Sequence, residues 1–170
     1  MTAPAKLISL QLHSDWISKV AYVAPMRALL CASLDRTLSL TALEWPHDDP
    51  LAPTARRVGR EHCRKLLTLR GHTKGVQTFE QLGVGGRQLC ASTALETSIC
   101  LWGLEAGELQ KTLEGHRAKV CRLASSAENE LLVSLAVDGE VRLWELNTYV
   151  VTQVITAAGI DGPPISAIGF

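Results

Sequence analysis

The sequence predicts an all-β fold made of repeated four-stranded antiparallel units. A Gly-His step at Gly71-His72 returns 44 residues later at Gly115-His116. A Leu-Trp pair at Leu101-Trp102 returns 42 residues later at Leu143-Trp144. Two landmarks that advance by nearly the same step indicate an internal repeat. Between the landmarks lie short β-rich runs separated by turn-forming residues, which is the pattern of antiparallel sheets.

Each of the two clear units contains four such runs. They read VQTF, QLCAST, SICLW and LQKTL in the first unit, and VCRLA, LLVSLA, EVRLW and VTQVIT in the second. Turn formers such as Gly83-Val84-Gly85-Gly86 and Asp138-Gly139 separate them. Four short strands in roughly 43 residues are typical of one blade of a β-propeller.

A weaker copy precedes these two units. It supplies His13 without the glycine, Asp35 in the turn and Thr41 at the tryptophan position. His13 lies 59 residues before His72, so this copy requires an insertion of roughly 15 residues relative to the period of the repeat. Residues 45–64, which hold three of the seven prolines, are predicted to form that insertion as a loop between the third and fourth strands.

The units resemble WD repeats of the β-propeller family. The Gly-His and Leu-Trp steps match the family pattern, whereas the residue after each tryptophan, usually Asp in the family, is Gly103 or Glu145. The resemblance implies about three blades with strand-like segments left over at both ends of the chain. The predicted boundaries are 13–70, 71–114 and 115–158 for the blades, 7–12 for an outer strand and 159–170 for the start of a further blade.

Three blades are too few to close a ring, since propellers contain about four to eight. Open strand edges at both ends would be prone to association. We therefore expect the chain to be a fragment or isoform of a longer propeller, or to be completed by self-association.

The resemblance also implies a buried polar network in each blade. In the family, the histidine bonds the turn acid, and the chain of bonds continues through a strand Ser or Thr to the tryptophan. Such a network is stabilising only when its members are satisfied. We expect no unit to keep the full set, and we assign all three histidines to structure rather than to catalysis or metal binding. The expected members are His13, Asp35 and Ser33 with Thr41 in place of Trp; His72, Glu96 and Trp102 with Ala94 in place of Ser; and His116, Asp138 and Trp144 with Ala136 in place of Ser.

Composition narrows the class of function. The chain has 17 basic and 17 acidic residues, so no net charge favours nucleic acid or an anionic membrane. The N-terminus alternates where a signal peptide would be continuously apolar, and no apolar run approaches a membrane span. Five widely spaced cysteines favour buried thiols over disulfides. The expected location is intracellular, with the cytoplasm preferred and the nucleus or a cilium left open.

The sequence predicts no enzyme, cofactor or metal site. The glycine-rich GVGGR at 83–87 lacks the Lys-Ser/Thr pair and helix of a phosphate-binding loop, and we interpret it as a hairpin turn. No Cys-x-x-Cys pair and no nucleophile elbow occur.

A basic stretch at 54–65 carries five cationic residues against Glu61 alone. The preferred interpretation is a solvated loop, and the alternative is a docking strip for an acidic protein or for RNA. No aromatic residue is interleaved to stack on bases, so nucleic acid is the weaker alternative. The basic residues are Arg56, Arg57, Arg60, Arg64 and Lys65.

We expect function to reside on a surface, because a propeller does not specify chemistry by itself. The leading hypothesis is a non-catalytic scaffold or subunit that binds other proteins across the face bearing the histidines. Trp16 is either an exposed anchor on that face or a packing residue that replaces the missing tryptophan. The alternatives are an RNA-associated propeller that uses residues 54–65, or an accessory domain of a larger enzyme or GTPase-containing protein. The candidate contact residues are Ser14, Trp16, Leu34, Thr73, Leu95, Arg117, Lys119 and Val137.

Overall fold

The fold was taken from a computed structural model, and the structure describes residues 9–44, 63–126 and 130–156. These residues form three four-stranded antiparallel sheets in which each strand pairs with its neighbours in sequence. Blade 1 contains β1 (Ile17–Val23), β2 (Ala28–Ser33), β3 (Thr37–Leu43) and β4 (Cys63–Arg70), with a 3-10 turn at Ala24–Met26. Blade 2 contains β5 (Val76–Val84), β6 (Arg87–Ala94), β7 (Ile99–Gly103) and β8 (Glu108–Leu113). Blade 3 contains β9 (Val120–Ser126), β10 (Leu131–Ala136), β11 (Val141–Glu145) and β12 (Val150–Ile155). The predicted all-β fold of four-stranded blades is confirmed.

The second strand of each blade is buried on both faces, which explains its sequence. β2 reads ALLCAS, β6 reads RQLCASTA and β10 reads LLVSLA, and nearly every residue from the middle of each strand onward is buried. Small and apolar side chains are required there because both faces are covered. In β6, Cys90 and the network residue Ser92 lie on the face toward blade 1, and Leu89 and Ala91 lie on the face toward blade 3. The GVGGR segment forms the β5–β6 hairpin, as predicted, with Gly85 at φ 55° and Gly86 at φ 79°. Positive φ at both central residues is the geometry of the tightest hairpin turns and favours glycine.

Two apolar cores join the blades. Between blades 1 and 2, Leu30, Leu38 and Leu69 pack with Phe79 and Trp102 in one buried cluster. Between blades 2 and 3, a second cluster contains Leu89, Ile99, Leu101, Leu132 and Trp144. Each blade therefore buries apolar surface mainly against the next blade, as expected for stacked repeats.

Polar contacts also cross each blade boundary. The hydroxyl of Ser18 on β1 donates to the carbonyl of Val76 on β5 at 2.7 Å. The hydroxyl of Thr93 on β6 donates to the carbonyl of Val120 on β9 at 3.1 Å. These bonds fix the blades in register with one another.

The first strands of the three blades share a second set of contacts, which meets at Glu80. Lys19 Nζ donates to the carbonyl of Phe79 at 2.6 Å and lies 3.6 Å from a carboxylate oxygen of Glu80. The same ammonium lies 5.1 Å from the centre of the Phe79 ring. On the other side, the hydroxyl of Ser125 donates to Glu80 at 3.2 Å. Glu80 of blade 2 therefore touches both of its neighbours.

Two predicted segments need correction. Residues 9–12 of the predicted outer strand 7–12 are not in a strand. β4 begins at Cys63, so Arg64 and Lys65 belong to a strand rather than to the predicted loop. Pairing explains the difference, since Leu43, Ala42 and Thr41 of β3 bond this part of the chain directly. The rest of that loop and the predicted start of a further blade at 159–170 lie outside the described residues.

Within the described ranges, no helix is long and apolar enough to cross a membrane.

Candidate functional site

The histidine-bearing end of blade 2 contains a continuous chain of buried hydrogen bonds. Trp102 Nε1 donates to the hydroxyl of Ser92 at 2.7 Å, and His72 Nε2 lies 2.7 Å from the same oxygen. The other ring nitrogen of His72 lies 3.3 Å from Glu96. Glu96 also accepts bonds from the backbone and hydroxyl of Thr73 and from the backbone of Lys74, at 2.7 to 2.8 Å. The network therefore joins the buried tryptophan to the exposed turn before β5.

Blade 3 repeats this arrangement with a different acid. Trp144 Nε1 donates to the hydroxyl of Ser134 at 2.8 Å, and His116 Nε2 lies 2.7 Å from the same oxygen. Nδ1 of His116 lies 3.0 Å from Glu140 but makes no hydrogen bond with a described residue, and Arg142 Nε donates to Glu140 at 2.6 Å. The prediction that Asp138 partners this histidine is wrong. The Asp138 carboxylate instead accepts the backbone N–H of Glu140 and so stabilises the turn.

Blade 1 keeps the histidine and the acid but builds the rest differently. His13 Nδ1 lies 3.0 Å from Asp35, and His13 Nε2 lies 2.7 Å from the hydroxyl of Ser39 on β3. The hydroxyl of Thr37 donates to Asp35 at 2.6 Å. Thr41, at the tryptophan position, is buried, and its hydroxyl has no hydrogen-bond partner among the described residues.

The predicted strand serines are wrong in all three blades. Ser33 bonds the carbonyl of Asp15 and the backbone N–H of Asp35 rather than the histidine, whose hydroxyl partner is Ser39. In blades 2 and 3 the hydroxyl is present, at Ser92 and Ser134, so the expectation that Ala94 and Ala136 leave the network incomplete is also wrong. In blades 2 and 3 the bonding serines lie two residues before the predicted positions, which is one step along the same face of the strand.

Burial sets the charge states of these groups. Desolvation lowers the pKa of His72 and of His116, although the neighbouring acids oppose the shift. Burial opposes the ionisation of Asp35, but bonds from Thr37, Ser14 and His13 outweigh it and lower its pKa to about 2. The network therefore consists of ionised acids that orient buried imidazoles, an arrangement that favours structure over proton transfer.

The turns around this network display the predicted contact residues at equivalent places. Leu34 donates its backbone N–H to the carbonyl of Trp16, Leu95 to that of Gly75, and Val137 to that of Lys119. The Trp16 side chain is 81% exposed, so the alternative in which it replaces the missing tryptophan is wrong. Ser14, Thr73 and Arg117 are exposed, as are Leu34, Leu95 and Val137. The same backbone bond thus places Leu34, Leu95 and Val137 at equivalent turns of the three blades.

The basic candidates divide between two regions. Arg64 and Lys65 are exposed on β4, and Arg64 lies 3.3 Å from Glu44. Arg56, Arg57 and Arg60 lie outside the described residues.

Cysteines and acids do not assemble into a reactive or metal-binding group in the described part of the chain. Cys31, Cys90 and Cys100 are buried, and burial raises the pKa of each thiol, to about 11 for Cys100. No three His, Cys, Asp or Glu side chains come together there in a way that could hold a metal ion.

Comparison with known proteins relates the chain to repeat proteins. The family model described as "WD domain, G-beta repeat" matches residues 107–145. The chain is 26% identical over 155 residues to nuclear distribution protein PAC1 of Arthroderma otae. This match covers 88% of this chain and 31% of that protein. It is 29% identical over 148 residues to human striatin-4, covering 81% of this chain and 19% of striatin-4. It is 34% identical over 104 residues to the regulator of rDNA transcription protein 13 of Saccharomyces cerevisiae, covering 49% of this chain and 54% of that protein.

The chain thus spans about a third of the length of the nuclear distribution protein it matches. The repeat match covers most of blade 3, from the β7–β8 turn to the end of β11, and includes His116, Ser134 and Trp144. The described residues contain three sheets of the same strand order, and two of them carry the complete His-Ser-Trp chain of hydrogen bonds. The chain therefore carries a WD repeat at residues 107–145, and its predicted resemblance to WD-repeat β-propellers is confirmed.

Proposed function

We propose that the chain is a non-catalytic scaffold that binds partner proteins across the histidine-bearing face. The observation that carries this proposal is the placement of exposed apolar side chains in the turns of that face. Trp16 and Leu34 of blade 1, Leu95 of blade 2 and Val137 of blade 3 are all exposed. Turns usually carry polar residues, so apolar side chains at the same turn in every blade favour a contact surface.

The turns that carry these side chains are held by the buried network. Glu96 bonds Thr73 and Lys74, whereas Asp35 bonds Ser14, and each acid is itself in contact with a buried histidine. A surface that is fixed before binding loses less conformational entropy when a partner arrives. The network therefore supports a preorganised contact surface.

Blades 1 and 2 also meet on this face. A Cβ added at Gly75 would lie 3.0 Å from the backbone of Leu34, so the glycine allows the two turns to approach closely. The apolar residues of the two blades are thus presented by adjoining turns. An exposed tryptophan beside such a surface has the properties of an interaction hot spot.

The names of the relatives refer to nuclear distribution in one case and to rDNA transcription in another. Similarity to proteins named for such different processes is what a general binding scaffold would show. We extend the proposal to an intracellular location.

A photo-crosslinking experiment tests this function. A photoreactive amino acid replaces Trp16 in one variant and Leu109, an exposed apolar residue on the outer strand β8, in a matched control. We expect position 16 to form defined protein adducts that mass spectrometry identifies, and position 109 to form none of them.

The identified partner is then tested against Trp16→Ala combined with Lys119→Glu. We expect this double variant to abolish capture without lowering the free energy of unfolding by more than about 1 kcal/mol, because Trp16 is exposed and Lys119 is only half-buried. Unchanged capture would remove the histidine-bearing face from consideration.

A further inference from the structure

One face of blade 1 differs in chemistry from the same face of the other blades. In blade 2, Trp102 on β7 pairs directly with Leu109 on β8. The equivalent pair in blade 3 is Trp144 with Val151. In blade 1 the corresponding pair is Thr41 with Lys65. An apolar cross-strand pair is therefore replaced by a hydroxyl and an ammonium group.

A β-bulge determines which residue occupies this place. The register of β3 and β4 shifts between Leu40 and Thr41, so Leu66 is skipped and Lys65 stands opposite Thr41. Bulges re-aim side chains in this way. As a result Lys65 lines the same depression as Thr68 and Arg70, which are further along β4.

Two adjoining depressions lie on this side of the blade, with volumes of about 490 Å³ and 390 Å³. They share Ser14, Asp35, Thr37 and Arg70 in their linings, so they form one groove. We propose that this blade 1 groove binds an acidic, extended peptide segment of a partner protein. Its lining includes Ser14, Arg36, Thr37, Lys65, Thr68 and Arg70, together with the acids Asp15 and Asp35.

Cations outnumber acids in the lining of the groove. Arg36, Lys65 and Arg70 are exposed, and the structure gives none of their side chains an ion pair with a described residue. The acid Asp35 is already engaged by the backbone of Ser14, by both donors of Thr37 and by His13. Three cations outnumber the two acids of the lining, the exposed Asp15 and the saturated Asp35, and this excess favours an anionic ligand.

The spacing of the cations favours an extended ligand. Lys65 and Arg70 lie on one strand, which places their Cα atoms roughly 14 Å apart after allowance for the bulge. In an extended peptide, side chains on one face recur about every 6.8 Å. Carboxylates at positions i and i+4 of the partner would therefore meet the two cations.

Fluorescence anisotropy with two labelled heptapeptides of the same composition tests this proposal. Both peptides contain only Ser, Thr and two Glu residues, with Glu at positions 2 and 6 in one and at positions 3 and 4 in the other. We expect the full 170-residue chain to bind the first peptide about fivefold more tightly, and salt to weaken this binding. Failure to bind either peptide, or equal affinity for both, would overturn the proposal.

A double variant places the binding in the groove. We expect Lys65→Gln with Arg70→Gln to weaken binding of the first peptide about tenfold. The matched control is Arg87→Gln with Lys111→Gln, which removes two exposed cations from blade 2. Equal losses in the two double variants would show non-specific attraction and reject the groove.

Folding and ligand class are checked separately. Urea unfolding of each variant shows whether the substitutions have disrupted the fold. If the double variant unfolds, the single variant Lys65→Gln tests the groove instead, with an expected threefold loss of affinity for the first peptide. Tighter binding of a U-rich RNA 12-mer that is also lost in the groove variants would replace the peptide as the occupant. The groove adjoins the proposed partner face and shares Ser14 and Leu34 with it, but none of these variants changes Trp16 or Lys119, so either proposal can fail while the other stands.

Discussion

Blades 1 and 2 hold an equivalent histidine in two different ways. In blade 2 the hydroxyl that bonds His72 is Ser92 on the second strand, and Cys100 stands opposite it on the third strand. In blade 1 the two residue types are exchanged, with Cys31 on the second strand and the bonding hydroxyl of Ser39 opposite it. A hydroxyl on either member of this cross-strand pair can therefore hold the histidine.

The consequence for the tryptophan position differs between the two blades. The Ser92 hydroxyl accepts from Trp102 and is also hydrogen-bonded to His72, so blade 2 ties its apolar core to the network. In blade 1 the position of the tryptophan is occupied by Thr41, whose hydroxyl has no hydrogen-bond partner among the described residues. The contact between histidine and acid is common to both blades, whereas the bond from a tryptophan to the network is present in blade 2 alone of the two.

Removal of the tryptophan should give the largest difference between the blades. Trp102 is buried against blade 1, and Trp102→Ala should lower the free energy of unfolding by about 4 kcal/mol, through lost apolar contact and an unfilled cavity. Thr41→Ala at the equivalent position should cost less than about 1 kcal/mol, since its hydroxyl makes no bond to lose. Urea unfolding measures both values, and equal losses would show that the two positions are energetically alike.

The strand hydroxyls should give the next largest difference. Ser92→Ala leaves two buried donors or acceptors, on His72 and Trp102, without their partner, and should cost about 2 kcal/mol. Ser39→Ala removes a partner from His13 alone and should cost about 1 kcal/mol. Denaturant unfolding monitored by circular dichroism compares the two variants. A larger loss for Ser39→Ala would contradict the view that blade 2 has the more extensive network.

The pH dependence of stability should report on His72. Burial lowers the pKa of His72, so the unfolded chain binds more protons than the folded chain near pH 6, and stability should fall as the pH drops below about 6.5. His72→Gln should reduce the slope of the unfolding free energy by up to about 1.4 kcal/mol per pH unit, which is the limit for one proton. Chemical unfolding between pH 7.5 and 5.5 measures the slope, and an unchanged slope would mean that His72 titrates alike in both states.

The smallest expected effect has the opposite sign. Thr41→Val keeps the branched shape and removes a buried hydroxyl without a hydrogen-bond partner among the described residues, so it should stabilise the chain by about 1 kcal/mol. Thr93→Val is the matched control, because Thr93 bonds the carbonyl of Val120 across a blade boundary and should destabilise the chain. Loss of stability in Thr41→Val would indicate that its hydroxyl finds a partner in solution.

The fold was predictable from the sequence because the repeat is marked by large apolar residues, which are typical of buried positions. Trp102 and Trp144 recur at the period of a blade and are both buried. The paired glycines at 85 and 86 were predicted to form a hairpin turn, and they do. Such local signals do not depend on the position of distant strands.

The members of the network were less predictable, for a geometric reason. Ser92 and Ala94 point to the same face of β6, since side chains alternate along a strand. The period of the sequence cannot distinguish between them. The pairing of Ser92 with Cys100 and of Cys90 with Trp102 decides the matter, because it places the serine one step from the tryptophan. Likewise Glu140, which is held by Arg142, lies beside His116 in place of the predicted Asp138.

The position of Glu80 bears on how the blades unfold. It contacts Lys19 in blade 1 and Ser125 in blade 3, so the middle blade is attached to both neighbours through one side chain. In a linear array with nearest-neighbour coupling, loss of a terminal blade breaks one interface, whereas loss of the middle blade breaks two. Fraying should therefore start at a terminal blade, and amide hydrogens of β6 and β7 should be the slowest to exchange.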